Sequence, residues 1–219
     1  MAESWLVRSA TIRSPISRAV SATFRHETVR DAKAVTNVVM ARWQAWDRKG
    51  IEHLVLRKGP REIVAESVVV ASVEGSNFAL RYRIRCDKSW RVTNAEVGIV
   101  GDARKIEITG DGKGNWADGS GKVLPKLAGA IDIDLSVTPF TNTLPIRRLK
   151  LSAGQSAEIV AVYILAPALT LVTDPQRYTC LEPGKRYRYE SLDSDFTRDI
   201  DVDDHALVVT YPGLFRRLL

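Results

Sequence analysis

Two cysteines and three histidines are all that 219 residues offer of the side chains most used to hold transition metals or to run nucleophilic chemistry. His26, His53 and His205 stand at no metal-binding spacing, and no nucleophile–base pair is recognisable, so no metal or cofactor is expected. Cys86 lies in an apolar-alternating run and reads as a buried thiol; Cys180 is distant, and nothing signals an oxidising compartment. Long apolar runs are also missing. The longest uncharged stretch, Ile159–Thr173, has fifteen residues and is interrupted by Pro167, too short for a helical membrane span. No apolar segment of secretory type follows the first charges. The glycine cluster Gly110-Asp111-Gly112-Lys113-Gly114 lacks a following Gly-Lys-Ser/Thr and a helix, which makes it a hairpin turn and not a phosphate cradle. Net charge is +6, but half of it falls in residues 1–39; the nearly balanced remainder gives little basis for nucleic-acid binding.

What the chain does have is strand after strand. Residues 1–40 stand apart, rich in Ser, Ala and Arg with little periodicity, and read as a flexible basic extension. Met40 is an alternative start of translation to Met1, and a targeting segment is a third option. From residue 41 a single β domain is expected to run to residue 219. Leu54–Leu56, Ile63–Val73, Trp90–Val100 and Arg104–Thr109 are rich in strand formers. Phe78–Cys86 alternates, with Phe78, Leu80, Tyr82, Ile84 and Cys86 on one face and Arg81, Arg83 and Arg85 on the other. In the carboxyl half Arg147–Leu151, Ala157–Leu165, Leu169–Val172, Tyr178–Leu181, Lys185–Glu190, Phe196–Val202 and Ala206–Tyr211 are strand-like. Tyr211-Pro212-Gly213 reads as a chain-terminal turn. Helix is confined to Leu124–Leu127 or the proline-bounded loop Phe140–Arg148. Roughly ten strands at 8–12-residue spacing predict a mainly β, antiparallel sandwich or barrel.

The segment Leu127–Leu149 carries the densest polar pattern. Ala130–Val137 alternates, placing Asp132, Asp134 and Ser136 on one side and Ile131, Ile133, Leu135 and Val137 on the other. It leads into a loop of hydroxyls, Asn142, two prolines and the pair Arg147-Arg148, suited to ordered hydrogen bonding.

That segment also resembles a known family. Trp43 to Leu54 with Gly50-Ile51-Glu52, then Tyr82, Trp90 and Gly112-Lys113-Gly114-Asn115-Trp116, belong to the resemblance. So do Leu127-Ala128-Gly129-Ala130-Ile131-Asp132-Ile133-Asp134-Leu135 and Thr138-Pro139-Phe140-Thr141-Asn142-Thr143-Leu144-Pro145-Ile146-Arg147-Arg148-Leu149. Arg177-Tyr178, Asp201-Val202-Asp203 and Tyr211-Pro212-Gly213-Leu214-Phe215-Arg216-Arg217 complete it. The chain is similar in these residues, in order over about 41–217, to the bacterial glycolipid-binding family long classed as a domain of unknown function. Ala130 stands where a cysteine of that pattern is expected, which argues against an essential role for the thiol. The resemblance implies a curved antiparallel sheet forming an incomplete barrel, similar to the carriers that shuttle lipoproteins between bacterial membranes. It also implies a cytoplasmic location, because family members generally lack export signals.

A lipid with a sugar head requires an apolar concavity and a polar or aromatic rim. Asp132 and Asp134 are candidates to accept bonds from sugar hydroxyls, with Thr141 and Asn142 beside them. Arg147 and Arg148 are candidates to hold an acidic head group, with one expected to reach a pocket. Trp90, Trp116, Tyr163 and Tyr178 offer rings for stacking. Each has a structural alternative: the two aspartates pair with Arg81, Arg83 or Arg85, Asn142 shapes a turn, and the tryptophans fill the core. The leading expectation is non-catalytic binding of an amphiphile, most often a glycolipid, on the concave side of the sheet. The alternatives are a hydrolase or isomerase acting through Asp132 and Asp134, and a structural or protein-interaction barrel.

Overall fold

The computed structural model describes residues 37–218, and in it one curved sheet of fourteen strands carries the fold. The expected basic extension lies outside the described residues except at its end, where Val38–Met40 already belong to the first strand. Seven strands form an antiparallel meander in chain order: β1 Val38–Ala45, β2 Gly50–Lys58, β3 Ile63–Val73, β4 Ser76–Cys86, β5 Val92–Ile99, β6 Lys105–Gly110 and β7 Trp116–Asp118. A second meander runs through β9 Ser156–Leu165, β10 Thr170–Glu182, β11 Arg186–Ser191, β12 Thr197–Val202, β13 Val208–Tyr211 and β14 Phe215–Leu218. β14 pairs with β1, Trp43 opposite Arg217, and this seam joins the meanders. β8, Asp132–Leu135, lies parallel to β9 at the far edge.

The two edges, β7 and β8, approach without forming a ladder. The Gly129 N–H donates to the Gly114 carbonyl at 2.9 Å and the Trp116 indole N–H to the Ala130 carbonyl at 2.7 Å. The sheet therefore curls but does not close, as the family resemblance implies.

Local sequence explains the strands well. β3 is β-branched through most of its length and alternates buried with exposed positions, and β4 turns Leu80, Tyr82, Ile84 and Cys86 inward as expected. Glu74 and Gly75 both have positive φ, the requirement of the two-residue turn that matches strand twist between β3 and β4. A second device recurs at turns: the Asp111 carboxylate accepts the backbone N–H groups two and four residues ahead, as do those of Asp87, Asp118 and Asp203.

Three expectations need correction. Arg147–Leu151 is not a strand: Phe140–Asn142 forms a 3₁₀ turn running into helix α1, Thr143–Leu149, which ends at Lys150 in the left-handed region. Pro145 lies in the first turn of α1, where its missing N–H has no intrahelical partner to lose. Leu169–Val172 and Tyr178–Leu181 are one strand, β10, with Pro175 placed where β10 pairs with β9 beyond the end of the β11 ladder. The turn at Tyr211-Pro212-Gly213 does not end the structure but leads into β14.

The concave side is partly filled. Residues 138–149 cross it as an internal plug between two apolar cores. Phe140 and Leu144 pack with the inward residues of β1–β6, and Ile146 packs with Tyr178, Tyr187 and Tyr189 of the second meander. Phe140 stacks on Tyr82 with ring centroids 6.3 Å apart. Cys86 and Cys180 are both buried free thiols.

Candidate functional site

The acidic face of β8 looks into this interior and not outward to solvent. Asp132 is 1% exposed and takes a two-pronged hydrogen-bonded ion pair from Arg148 of α1, with Nε at 3.0 Å. Burial pushes the Asp132 carboxyl up and the guanidinium opposes it. Asp134, two residues on, accepts from the Thr141 hydroxyl at 3.0 Å and from the Gln176 amide at 2.8 Å. Burial raises its pKa to about 6 against those two bonds, with Asp174 adding like charge. Neither carboxylate meets the β4 arginines: Arg83 pairs with Glu66 and Arg85 with Glu62.

The plug's hydroxyls and amide are spent internally. Tyr178 donates to the Asn142 side-chain oxygen at 2.9 Å, and Asn142 donates to the Pro139 carbonyl at 3.2 Å. Thr143 donates to the Ala206 carbonyl at 2.8 Å, tying the plug to the loop before β13. Arg147 stands apart from Arg148, its guanidinium 5.6 Å from the centre of the Trp90 ring, with the Lys58 ammonium 5.7 Å from the same ring. Trp116 is buried against the β7–β8 approach.

Two adjoining cavities remain beside the plug. The first, about 530 Å³, is polar and aromatic: Asp134, Asn142, Tyr163, Asp174, Tyr189 and Asp193 face it. Of the ten residues singled out from sequence, Asp134, Asn142 and Tyr163 thus reach one space, and Thr141 and Tyr178 brace them from behind. Asp132, Arg147, Arg148, Trp90 and Trp116 do not line it. None of the described residues lining this cavity is cationic, and Asp134, Asp174 and Asp193 are carboxyls. Asp132, held by Arg148, does not line the cavity that Asp134 faces.

The second cavity, about 240 Å³, is apolar, with Trp43, Trp46, Val69, Val137, Leu214 and Phe215 among its walls. Its floor is a row of small residues on the inner face: Gly50 lies opposite Ala71, and a Cβ built on Gly50 would stand 3.4 Å from those of Ala45 and Ala71. Ser136, Leu214 and Phe215 line both cavities, so the polar and apolar spaces share a wall. A wider groove of about 1110 Å³ is bordered by Glu66, Arg83, Glu96, Lys105 and Glu107, charges of both signs that include the Arg83–Glu66 pair; this is the pattern of a solvated sheet face.

At the inner end of the apolar cavity stands Glu52, 3% exposed. Its Oε1 accepts from Ser67 at 2.8 Å and Tyr82 at 2.7 Å, while Oε2 is buried without a hydrogen-bond partner among the described residues. Burial raises its pKa to about 7, opposed by hydrogen bonds from its hydroxyl neighbours. Glu52 is not among the ten residues singled out from sequence, although Gly50, Glu52, Leu54 and Leu56 share one phase of the β2 alternation and so put a carboxyl among core residues. Asp174, Asp193 and Tyr189 had no comparable signal.

Among the described residues, no cluster of three or more His, Cys, Asp or Glu is placed to hold a metal ion, and no helix is long and apolar enough to cross a membrane. The family model described as "Putative glycolipid-binding" matches residues 40–217. The crystal structure of a DUF1089 family protein from Pseudomonas aeruginosa is 43% identical, covering 78% of this chain and 92% of its own, with a TM-score of 0.71. No curated protein matches the chain.

Proposed function

The chain belongs to the family described as putative glycolipid-binding, and from that premise we propose that it binds an amphiphile with an uncharged sugar head, without reacting with it. The shared wall of the two cavities is the observation that carries this reading. The head group occupies the polar cavity, where Asp134, Asp174 and Asp193 accept from hydroxyls and the faces of Tyr163 and Tyr189 take the apolar side of a sugar ring. Part of the alkyl chain enters the apolar cavity past Leu214 and Phe215. That cavity falls below the roughly 300–1,000 Å³ of ordinary ligand pockets, so it suits a segment of chain, while the polar cavity lies within that range.

The acidic lining favours a neutral sugar over a phosphorylated or uronic one. Arg147 and Arg148, the candidates for an acidic head, are engaged with Trp90 and Asp132.

Native mass spectrometry of the protein purified from its source organism tests the reading, together with thermal unfolding against a lipid panel. A co-purifying neutral glycolipid is expected. Octyl glucoside below its micellar concentration should raise the melting temperature by several degrees at about a hundredfold excess over its Kd, and octyl phosphate should not. Absence of any bound amphiphile, with no stabilisation by any lipid tried, would overturn the proposal.

A further inference from the structure

Glu52 is an expensive residue for its place. Its neighbours across the sheet are Trp43 and Val69, both buried apolar walls of the same cavity. One carboxyl oxygen is satisfied twice over, by Ser67 and Tyr82, and the other has no hydrogen-bond partner among the described residues. A buried polar atom left unpaired destabilises the fold, and more so when charged, which an all-apolar lining would avoid. The cavity that Glu52 lines is also bordered by Ala45, Gly50 and Ala71, small residues that leave room on the same inner face as the carboxyl.

We propose that the apolar cavity takes an alkyl chain bearing a hydroxyl group, and that Glu52 is the residue that selects it by bonding that hydroxyl through its free oxygen. This rests on the amphiphile reading above and names the chain that the reading leaves open. The chemistry restricts the partner. Near neutral pH the carboxyl of Glu52 is present both ionised and protonated, so its partner must donate to one form and accept from the other. A hydroxyl does both; an ammonium serves only the carboxylate, and an ester carbonyl only the acid. An unsubstituted chain would leave the oxygen unpaired and gain only apolar contact.

Trp43 and Trp46 line the cavity, so intrinsic fluorescence reports its occupation. The probes are decanoylglycerol, whose head is an uncharged polyol, and a set of hydroxydecanoylglycerols with the hydroxyl moved along the chain. At least one isomer should bind roughly tenfold or more tighter than decanoylglycerol, the size of a hydrogen bond to a charged group. Glu52→Leu should collapse that ratio to near one. Glu52→Gln, which keeps the volume if the leucine variant does not fold, should reduce it to the few-fold advantage of a neutral bond. Equal binding of all isomers to the native protein, or a preference unchanged in the folded variants, overturns the role of Glu52 and leaves the amphiphile reading intact. Failure of decanoylglycerol and every isomer to bind overturns both.

Discussion

Single residues of this protein show how far alternation carries and where it stops. The phase of β2 puts Glu52 among inward side chains, which is a local property and was open to inspection; the Ser67, Tyr82 and Thr138 hydroxyls around it come from β3, β4 and the plug, and only folding assembles them. The result is a carboxyl whose pKa rises from 4.5 to about 7, because burial outweighs those bonds. Since the folded protein favours the protonated form, Glu52 contributes its full stabilisation below pH 4.5. That contribution is lost as pH rises from 4.5 through 7, at most about 3 kcal/mol over the window. Asp134, raised to about 6, acts in the same direction. Glu52→Gln removes one of the two titrations. Urea unfolding at pH 4.5 and pH 7.5 should show the variant gaining stability relative to the native protein at the higher pH, by up to about 3 kcal/mol. A difference between the two proteins that is the same at both pH values would rule out a raised Glu52.

Secondary-structure elements were legible in proportion to how local their causes are. β3, β4 and the turn at Asp111 follow from β-branching, alternation and a carboxylate capping nearby amides, all written within a few residues. Residues 138–149 were legible as an ordered, hydrogen-bonding segment but not as an internal one. Their partners, Asp134, Tyr178 and Ala206, lie on other elements, and hydroxyl-rich composition alone resembles that of an exposed rim. The Arg147-Arg148 pair was read as extended; in α1 successive side chains diverge, so Arg148 meets Asp132 while Arg147 covers Trp90. The ion pair locks the plug to the edge strand at a site where Asp132 is buried and Arg148 mostly so. Arg148→Met should therefore lower unfolding free energy by about 3–5 kcal/mol, because it strands a buried carboxylate. Adding Asp132→Leu should recover most of the loss, since an apolar pair of similar volume is often as stable as a buried ion pair. Urea denaturation of the single and double variants measures both, and a cost for Arg148→Met below about 1 kcal/mol would place the plug's anchor elsewhere.

On the scale of the whole molecule, the apolar cavity sits where the two meanders meet, and the polar cavity adjoins it within the second. β1, β2 and β3 supply the floor and one side, the turn into β14 supplies Leu214 and Phe215, and the link from β8 to the plug supplies Ser136 and Val137. Strand periodicity and the family resemblance anticipated a curved sheet, yet the position of the open space depends on a seam between residues about 170 apart in sequence, such as Trp43 and Arg217. That arrangement predicts that chain length and head group are read in separate compartments. Ala71 lies on the cavity floor opposite Gly50, and Ala71→Phe should fill the apolar space from beneath without adding a polar atom to the core. For alkyl glucosides from octyl to dodecyl, titrated calorimetrically below their micellar concentrations, affinity of the native protein should grow up to roughly fourfold per methylene until the cavity is full. In Ala71→Phe that growth should vanish. The preference for glucoside over phosphate head groups should survive, since Asp134, Asp174 and Asp193 belong to the other cavity. A variant that folds and keeps the native dependence on chain length would show that alkyl chains lie outside the Trp43–Phe215 space, and the seam would then have to be read as structural.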